Sequence, residues 1–228
     1  MASFERTEVQ SMCDDWSRLM MEGNAASLEK DWPTAEVRYR AALTVAQKLG
    51  PDCPNLPDSL NTLAHFFRQL GRYTEAQNYH NLLLGLWENK LEVDHPFMAG
   101  VLEETAEFYA VQGKYDKAET LYERAVAIRE KFESEQSLEL AGCLERLAAI
   151  KLSYGNFAAA EKLFKRVLHI KNAALGANHL GVAATLHALA GIHRCQGDHL
   201  DADTVDAHAK SIWSSKILAP AIAVVGKA

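Results

Sequence analysis

Apolar residues recur along the chain at the spacing of a helix face. In SLNTLAHFF (59–67), Leu60, Leu63, Ala64 and Phe67 stand at i, i+3, i+4 and i+7, and in AETLYERAVAI (118–128) Leu121, Tyr122, Ala125 and Ile128 form a similar stripe. At 3.6 residues per turn each set lies on one side of a helix and leaves a polar side opposite. Strand-like alternation is absent from the sequence, so the pattern predicts an all-α chain.

The stripes repeat with a fixed period. GRYTEA (71–76) returns as GKYDKA at 113, GNFAAA at 155 and GDHLDA at 197, which places Gly71, Gly113, Gly155 and Gly197 42 residues apart. The same spacing links Leu60, Leu102, Leu144 and Leu186; then Ala64, Ala106, Ala148 and Ala190; then Ala76, Ala118, Ala160 and Ala202. One earlier copy is a residue out of phase, with Leu19, Gly23, Trp32 and Ala35 in place of Leu60, Ala64, Tyr73 and Ala76. Each unit reads as two amphipathic helices, A and B. The glycine ends helix A because it adopts a left-handed C-terminal cap without a Cβ penalty. The aromatic two places on is expected to fill the gap at the turn, and the alanine to let helix B lie close. Asp31-Trp32-Pro33, Asp52-Cys53-Pro54 and Asp94-His95-Pro96 are read as helix starts, an N-cap acid with proline behind it. A lone hairpin cannot bury its stripes, so five of them should stack. The expected architecture is a right-handed α-α superhelix over residues 1–219, with repeats near 9–50, 51–93, 94–135, 136–177 and 178–219. An apolar tail, 220–228, is expected to cap the last hairpin. In that hairpin His199 and Asp206 stand at usually aromatic or apolar positions, as expected where no further repeat packs.

Composition narrows the function. The 228 residues are 48% hydrophobic and 24% charged, as in ordinary globular proteins, and the net charge of -6 supplies no basic field for nucleic acid or anionic lipid. Cys13, Cys53, Cys143 and Cys195 are scattered without a CxxC pair, which implies a reducing, cytoplasmic setting. MASFERTEVQ lacks the apolar run of a secretory signal, and ILAPAIAVV (217–225) is too short to span a bilayer. No GxSxG motif or phosphate-cradling glycine loop is present, and Cys143 lies among Leu140, Leu144 and Leu147 in a core-like stripe, so no enzyme, small-molecule substrate or cofactor is expected.

Glycine-x-aromatic followed by alanine, after a helix with a small eighth residue, resembles the tetratricopeptide repeat, although 42 residues exceeds the usual period of about 34. With LGPDCP (49–54), the stretch LEVDHPFMAGVLEETAEFYAVQGKYDKAETLYERAVAIREK (91–131) and LGANHL (175–180), the chain is similar to the kinesin-light-chain type of these repeats over roughly 15–215. No heptad-rich segment precedes them, so the likeness is to the stand-alone bacterial kinesin light chains found with bacterial tubulins. That resemblance implies a non-catalytic protein-binding scaffold acting on a tubulin-like filament; the rival reading is an adaptor taking a short peptide in its groove.

The resemblance also implies that helix A residues facing away from the apolar stripe line the inner wall. These are Asn61, Thr62, His65, Arg68 and Gln69; Glu103, Glu104, Glu107 and Val111; Glu145, Arg146, Ala149 and Ser153; and His187, Ala188, Arg194 and Cys195. Asn61 matches an asparagine that clamps a ligand backbone in the family, while Glu103, Glu145 and His187 depart from it. The acidic centre at Glu103, Glu104 and Glu107 would repel the tryptophan-acidic peptides bound by animal kinesin light chains and favour basic or polar ligand groups. Against this, charged residues on a helix commonly serve only to solvate it. His187, His193, Cys195, His199 and His208 crowd the last repeat, but the Gly197 turn separates Cys195 from His199 and no metal-ligand spacing is present, so no metal site is expected. Trp16 and Trp32 are expected to pack within the first hairpin. Trp87 and Trp213, late in their B helices, are expected in core or inter-repeat packing on the convex side, the alternative being an exposed aromatic that anchors a partner.

Overall fold

The chain's 42-residue rhythm is carried by ten helices among the described residues of a computed structural model, which are 2–90, 95–134 and 136–225, with side chains described over 8–90, 95–134 and 136–215. They are α1 (Ala2–Leu28), α2 (Trp32–Lys48), α3 (Asn55–Gln69), α4 (Tyr73–Lys90), α5 (Phe97–Val111), α6 (Tyr115–Phe132), α7 (Leu138–Ser153), α8 (Phe157–Leu175), α9 (Leu180–Gln196) and α10 (His199–Val225). No strand occurs among the described residues, and the fold is all-α, built of successive helical hairpins.

Each predicted turn glycine adopts the left-handed conformation, with φ of 72° at Gly71, 73° at Gly113, 70° at Gly155 and 89° at Gly197. After α3 the chain reverses with the Arg72 N–H bonded to the Phe67 carbonyl and the Gly71 N–H to that of Arg68, so the last carbonyls of the helix are satisfied. The first repeat makes the same turn without glycine: Lys30 takes φ 62°. Asp31 caps α2 as expected, its Oδ1 accepting the Thr34 N–H. The second predicted start is displaced. Pro54 occupies the cap position of α3 without a side-chain bond, because Asp52 lies too far upstream of the first helical turn. Asp94 lies outside the described residues; the start of α5 is held by His95, whose Nδ1 accepts the Phe97 N–H.

The chain forms two compact units, residues Met1–Lys114 and Tyr115–Ala228. In the first, α1 packs on α2, α2 on α3, α3 on α4 and α4 on α5. Its core joins Tyr39, Leu43, Leu60, Leu63, Phe66, Phe67, Leu83, Val101 and Phe108. In the second, α6 packs on α7, α7 on α8, α8 on α9 and α9 on α10, around Phe164, Leu189 and Ile192 and then Val182, Leu186 and Ile212. Every repeated leucine and alanine in the columns is buried, and the alanines at 35, 76, 118, 160 and 202 are wholly so. A side chain no larger than a methyl group at those positions lets helix B approach helix A.

The turn aromatics contribute less than expected. Tyr73 is exposed, and Trp32, Tyr115 and Phe157 are half-buried, because the turn places their rings at the rim while the alanine column makes the close contact. Trp32 packs against Phe66, and Trp16 reaches beyond its own hairpin to donate to the Ser59 hydroxyl at 2.8 Å. Asp206, at the usually aromatic or apolar position of α10, is buried with His187, Arg194 and Lys210 as side-chain partners. Cys143 is buried as expected, its thiol 3.8 Å from the Tyr122 carbonyl. Side chains of the 220–228 tail lie outside the described residues; the backbone of α10 continues to Val225.

Candidate partner-binding surface

On α3 the stripe Leu60, Leu63, Ala64 and Phe67 faces the core, which turns Asn61, Thr62, His65, Arg68 and Gln69 outward. Two clefts of the first unit meet along this edge. One, of about 410 Å³, lies between α3 and the first hairpin and is lined by Asn24, Ser27 and Leu28, by Tyr39, and by Asn61, Thr62, His65, Phe66 and Gln69. The other, of about 430 Å³, lies between α3, α4 and α5 and is lined by Pro57, Asp58, Asn61, Leu83, Trp87, Pro96, Phe97, Gly100, Val101 and Glu104. Asn61 is common to both, and its Oδ1 is buried without a hydrogen-bond partner. A buried amide oxygen left so costs about 1–3 kcal/mol, which makes it a ready acceptor. Trp87 lies in the second cleft, 4.8 Å from the Phe97 ring centroid, while its inner side packs on the core; helix B therefore contributes to the surface that sequence reasoning gave to helix A.

The predicted groove residues fall into separate groups. In the first unit, Glu104 Oε2 lies 3.9 Å from His65 Nε2, and Glu107 lies 3.9 Å from the Arg68 guanidinium. Two of the three α5 glutamates thus face basic groups of the chain's own α3; Glu103 is half-buried beside them in sequence. In the second unit, Glu145 on α7 accepts from Lys171 of α8 at 2.7 Å and lies 3.4 Å from the Thr185 hydroxyl of α9. His187 and Arg194 on α9 both turn to Asp206, at 2.8 and 2.9 Å, and Lys210 joins at 2.9 Å. Lys210, with His187 and Arg194, holds the Asp206 carboxyl far below its ordinary range. Arg146 is exposed on α7. Glu145, His187 and Arg194 are therefore engaged by side chains of neighbouring helices.

Besides Trp87, sequence reasoning missed a residue just beneath this surface. His80 on α4 is fully buried, Nε2 lies 3.4 Å from Glu104 Oε2, and neither ring nitrogen has a hydrogen-bond partner. Burial, helped by His65 and Arg68, pushes its pKa down to about 4, so the ring is neutral near pH 7. The repeat itself carried the signal: His80, Tyr122, Phe164 and Asp206 are 42 residues apart, and the polar members of a buried aromatic column stand out.

The tetratricopeptide repeat model matches residues 19–89, 56–131, 97–173 and 144–213. The chain belongs to the tetratricopeptide repeat family. Such repeats are typically non-catalytic modules of protein interaction. No curated protein is a significant match to the sequence. Among solved structures, BtubC (BKLC) from P. vanneervenii is similar, with 21% identity and a TM-score of 0.75 over 92% of this chain and 90% of that one. A putative kinesin light chain from Podosopora anserina with nearly identical repeats has the same identity and TM-score, over 88% and 97%. The apo form of RapI matches at 13% identity and a TM-score of 0.72, over 88% and 71%. These likenesses establish the fold. No helix among the described residues is long and apolar enough to cross a membrane.

Proposed function

We propose that this repeat protein is a non-catalytic, cytoplasmic scaffold that binds a protein partner along the Asn61 edge of its first unit. The carrying observation is the unpartnered Asn61 Oδ1 at the wall shared by two clefts. It is placed to accept a main-chain N–H from an extended segment, whose apolar side chain would rest among Leu83, Trp87 and Phe97. The 42-residue period and the BtubC-like fold support a tubulin-like filament as the partner. Weak contacts repeated along a filament would favour its assembled state.

Co-sedimentation with polymerised bacterial tubulin at low salt tests this reading. The chain should pellet with filaments, and Asn61→Ala should weaken the association about fivefold, the equivalent of one hydrogen bond of about 1 kcal/mol. A protein that stays in the supernatant ends the filament reading. The cleft dimensions favour a second reading, an adaptor for a short peptide. Peptide-array binding that is lost in Asn61→Ala, without filament binding, would select it.

A further inference from the structure

His65 on α3, His80 on α4 and Glu104 on α5 bring one ligand atom each to within 4.8 Å of one another. The rings of the two histidines are nearly perpendicular, with centroids 6.0 Å apart, and Glu104 Oε2 is 3.4 Å from His80 Nε2 and 3.9 Å from His65 Nε2. Around a tetrahedral zinc ion with bonds of about 2.0–2.1 Å, neighbouring ligand atoms are about 3.3 Å apart. The His80–Glu104 separation already has that value. His65 and Glu104 are partly exposed, so side-chain adjustment at these two can close the remaining gap while His80 stays fixed in the core.

The second observation is the state of His80. A wholly buried imidazole with both nitrogens unpartnered is costly, and its Nε2 lies 3.4 Å from the Glu104 carboxylate without a hydrogen bond to it. Asp206, at the same position three repeats later, is also buried but has partners on His187, Arg194 and Lys210. The chain therefore satisfies one polar intruder in this column and leaves the other open. Arg68 also acts on His80 electrostatically, and Glu107 stands 3.9 Å from its guanidinium, offsetting a charge that would oppose a cation.

We infer that His65, His80 and Glu104 form a divalent-cation site of zinc type, with two imidazole nitrogens and one carboxylate oxygen as ligands and a fourth position open to water. Imidazole with carboxylate suits zinc among the borderline metals, and three protein ligands leave the ion exchangeable. Bound zinc would fasten α3, α4 and α5 to one another at the junction of the two clefts.

The test uses the full chain without a histidine tag, stripped with chelator and titrated with Zn²⁺ near neutral pH by calorimetry and by thermal melting. One Zn²⁺ per chain should bind, and Tm should rise by at least about 5 °C at a hundredfold excess over Kd. Glu104→Gln and His65→Gln should each weaken binding at least about tenfold. His80→Phe, which restores the ring type of Phe164, should fold with an unchanged helical circular-dichroism spectrum and lose binding. Zn²⁺ binding that survives His80→Phe, or that disappears instead when His199 and Cys195 of the last repeat are replaced, overturns the site. So does an absence of saturable binding at millimolar Zn²⁺.

Discussion

Lys30 is the single non-glycine residue with positive φ among the described residues, and it occupies the turn that Gly71, Gly113, Gly155 and Gly197 make in the other repeats. Left-handed backbone costs a residue with a Cβ about 1–2 kcal/mol. Lys30→Gly removes that strain, but it adds about 0.5–1 kcal/mol of unfolded-chain entropy. It also removes a cation near a helix C-terminus, a loss of about 0.3 kcal/mol. Lys30 is exposed, so no packing is lost, and the net gain is about 0.5 kcal/mol, or roughly 1–2 °C in Tm for a chain of this length. The reverse exchange, Gly71→Ala, should cost about 1 kcal/mol and roughly 2–4 °C. Nothing lies within 4 Å of a Cβ built at Gly71, so that cost is backbone conformation alone. Lys30→Ala keeps the strain and should lower Tm only by the small charge contribution. Far-UV circular-dichroism melts of the four proteins measure the series. A lower Tm for Lys30→Gly, or an unchanged one for Gly71→Ala, would refute the claim that left-handed strain governs this turn.

Two further substitutions probe the packing and the ion pairs. A Cβ at Gly23 would lie 2.7 Å from Tyr39 Cε1, and Tyr39 is buried with its hydroxyl bonded to Asn24 Oδ1 at 2.8 Å, so Gly23→Ala should destabilise by about 1–3 kcal/mol in a urea titration. The Asp206 carboxyl is held below its unfolded value of about 3.9, so its contribution is complete above that pH and is lost as the carboxylate protonates in more acid solution. Urea midpoints of the wild type and Asp206→Asn should therefore differ near neutrality and draw together progressively as pH falls below about 3.9; a gap of constant size would show that the carboxylate charge is not what Asp206 contributes.

Features fixed within one repeat were legible in the sequence. The Leu60 and Ala64 columns had to be buried because an amphipathic helix has one apolar face, and Gly71 had to turn because it follows the last apolar residue of its stripe. Asp31 could be read as a cap because its partner, the Thr34 N–H, is three residues away. Features that depend on two or more helices were not. Nothing near Glu145 in sequence announces Lys171, 26 residues on, and nothing near His187 announces Asp206 on the next helix. The outward register of helix A was readable, but whether an outward side chain is offered to a partner or taken by a neighbour depends on the length and charge of residues on helix B. Trp87 escaped for a related reason: its helix was assigned to one side, although a large ring can cover the core and line a cleft at once.

The buried helix B column at Tyr39, His80, Tyr122, Phe164 and Asp206 joins these observations. In a stack of like units this buried position is filled by bulk, so a hydrogen-bonding group there opposes burial unless another interaction offsets it. At Asp206 the offset is visible as His187, Arg194 and Lys210, which bond the buried carboxylate while His187 and Arg194 themselves stay exposed. At Tyr39 the hydroxyl reaches Asn24 at the rim of the 410 Å³ cleft. At His80 no protein group completes the bonding of the ring, and the nearest candidates, His65 and Glu104, are themselves metal-ligating side chains. The exception to the packing rule and the unpartnered Asn61 oxygen both fall in the first unit, around α3. Asn61 lies on α3 and His80 on the adjacent α4, and a scaffold whose only task was to stack would have little physical reason to leave polar atoms unsatisfied on these neighbouring helices, whereas a receptor surface requires groups whose bonding is completed by something else.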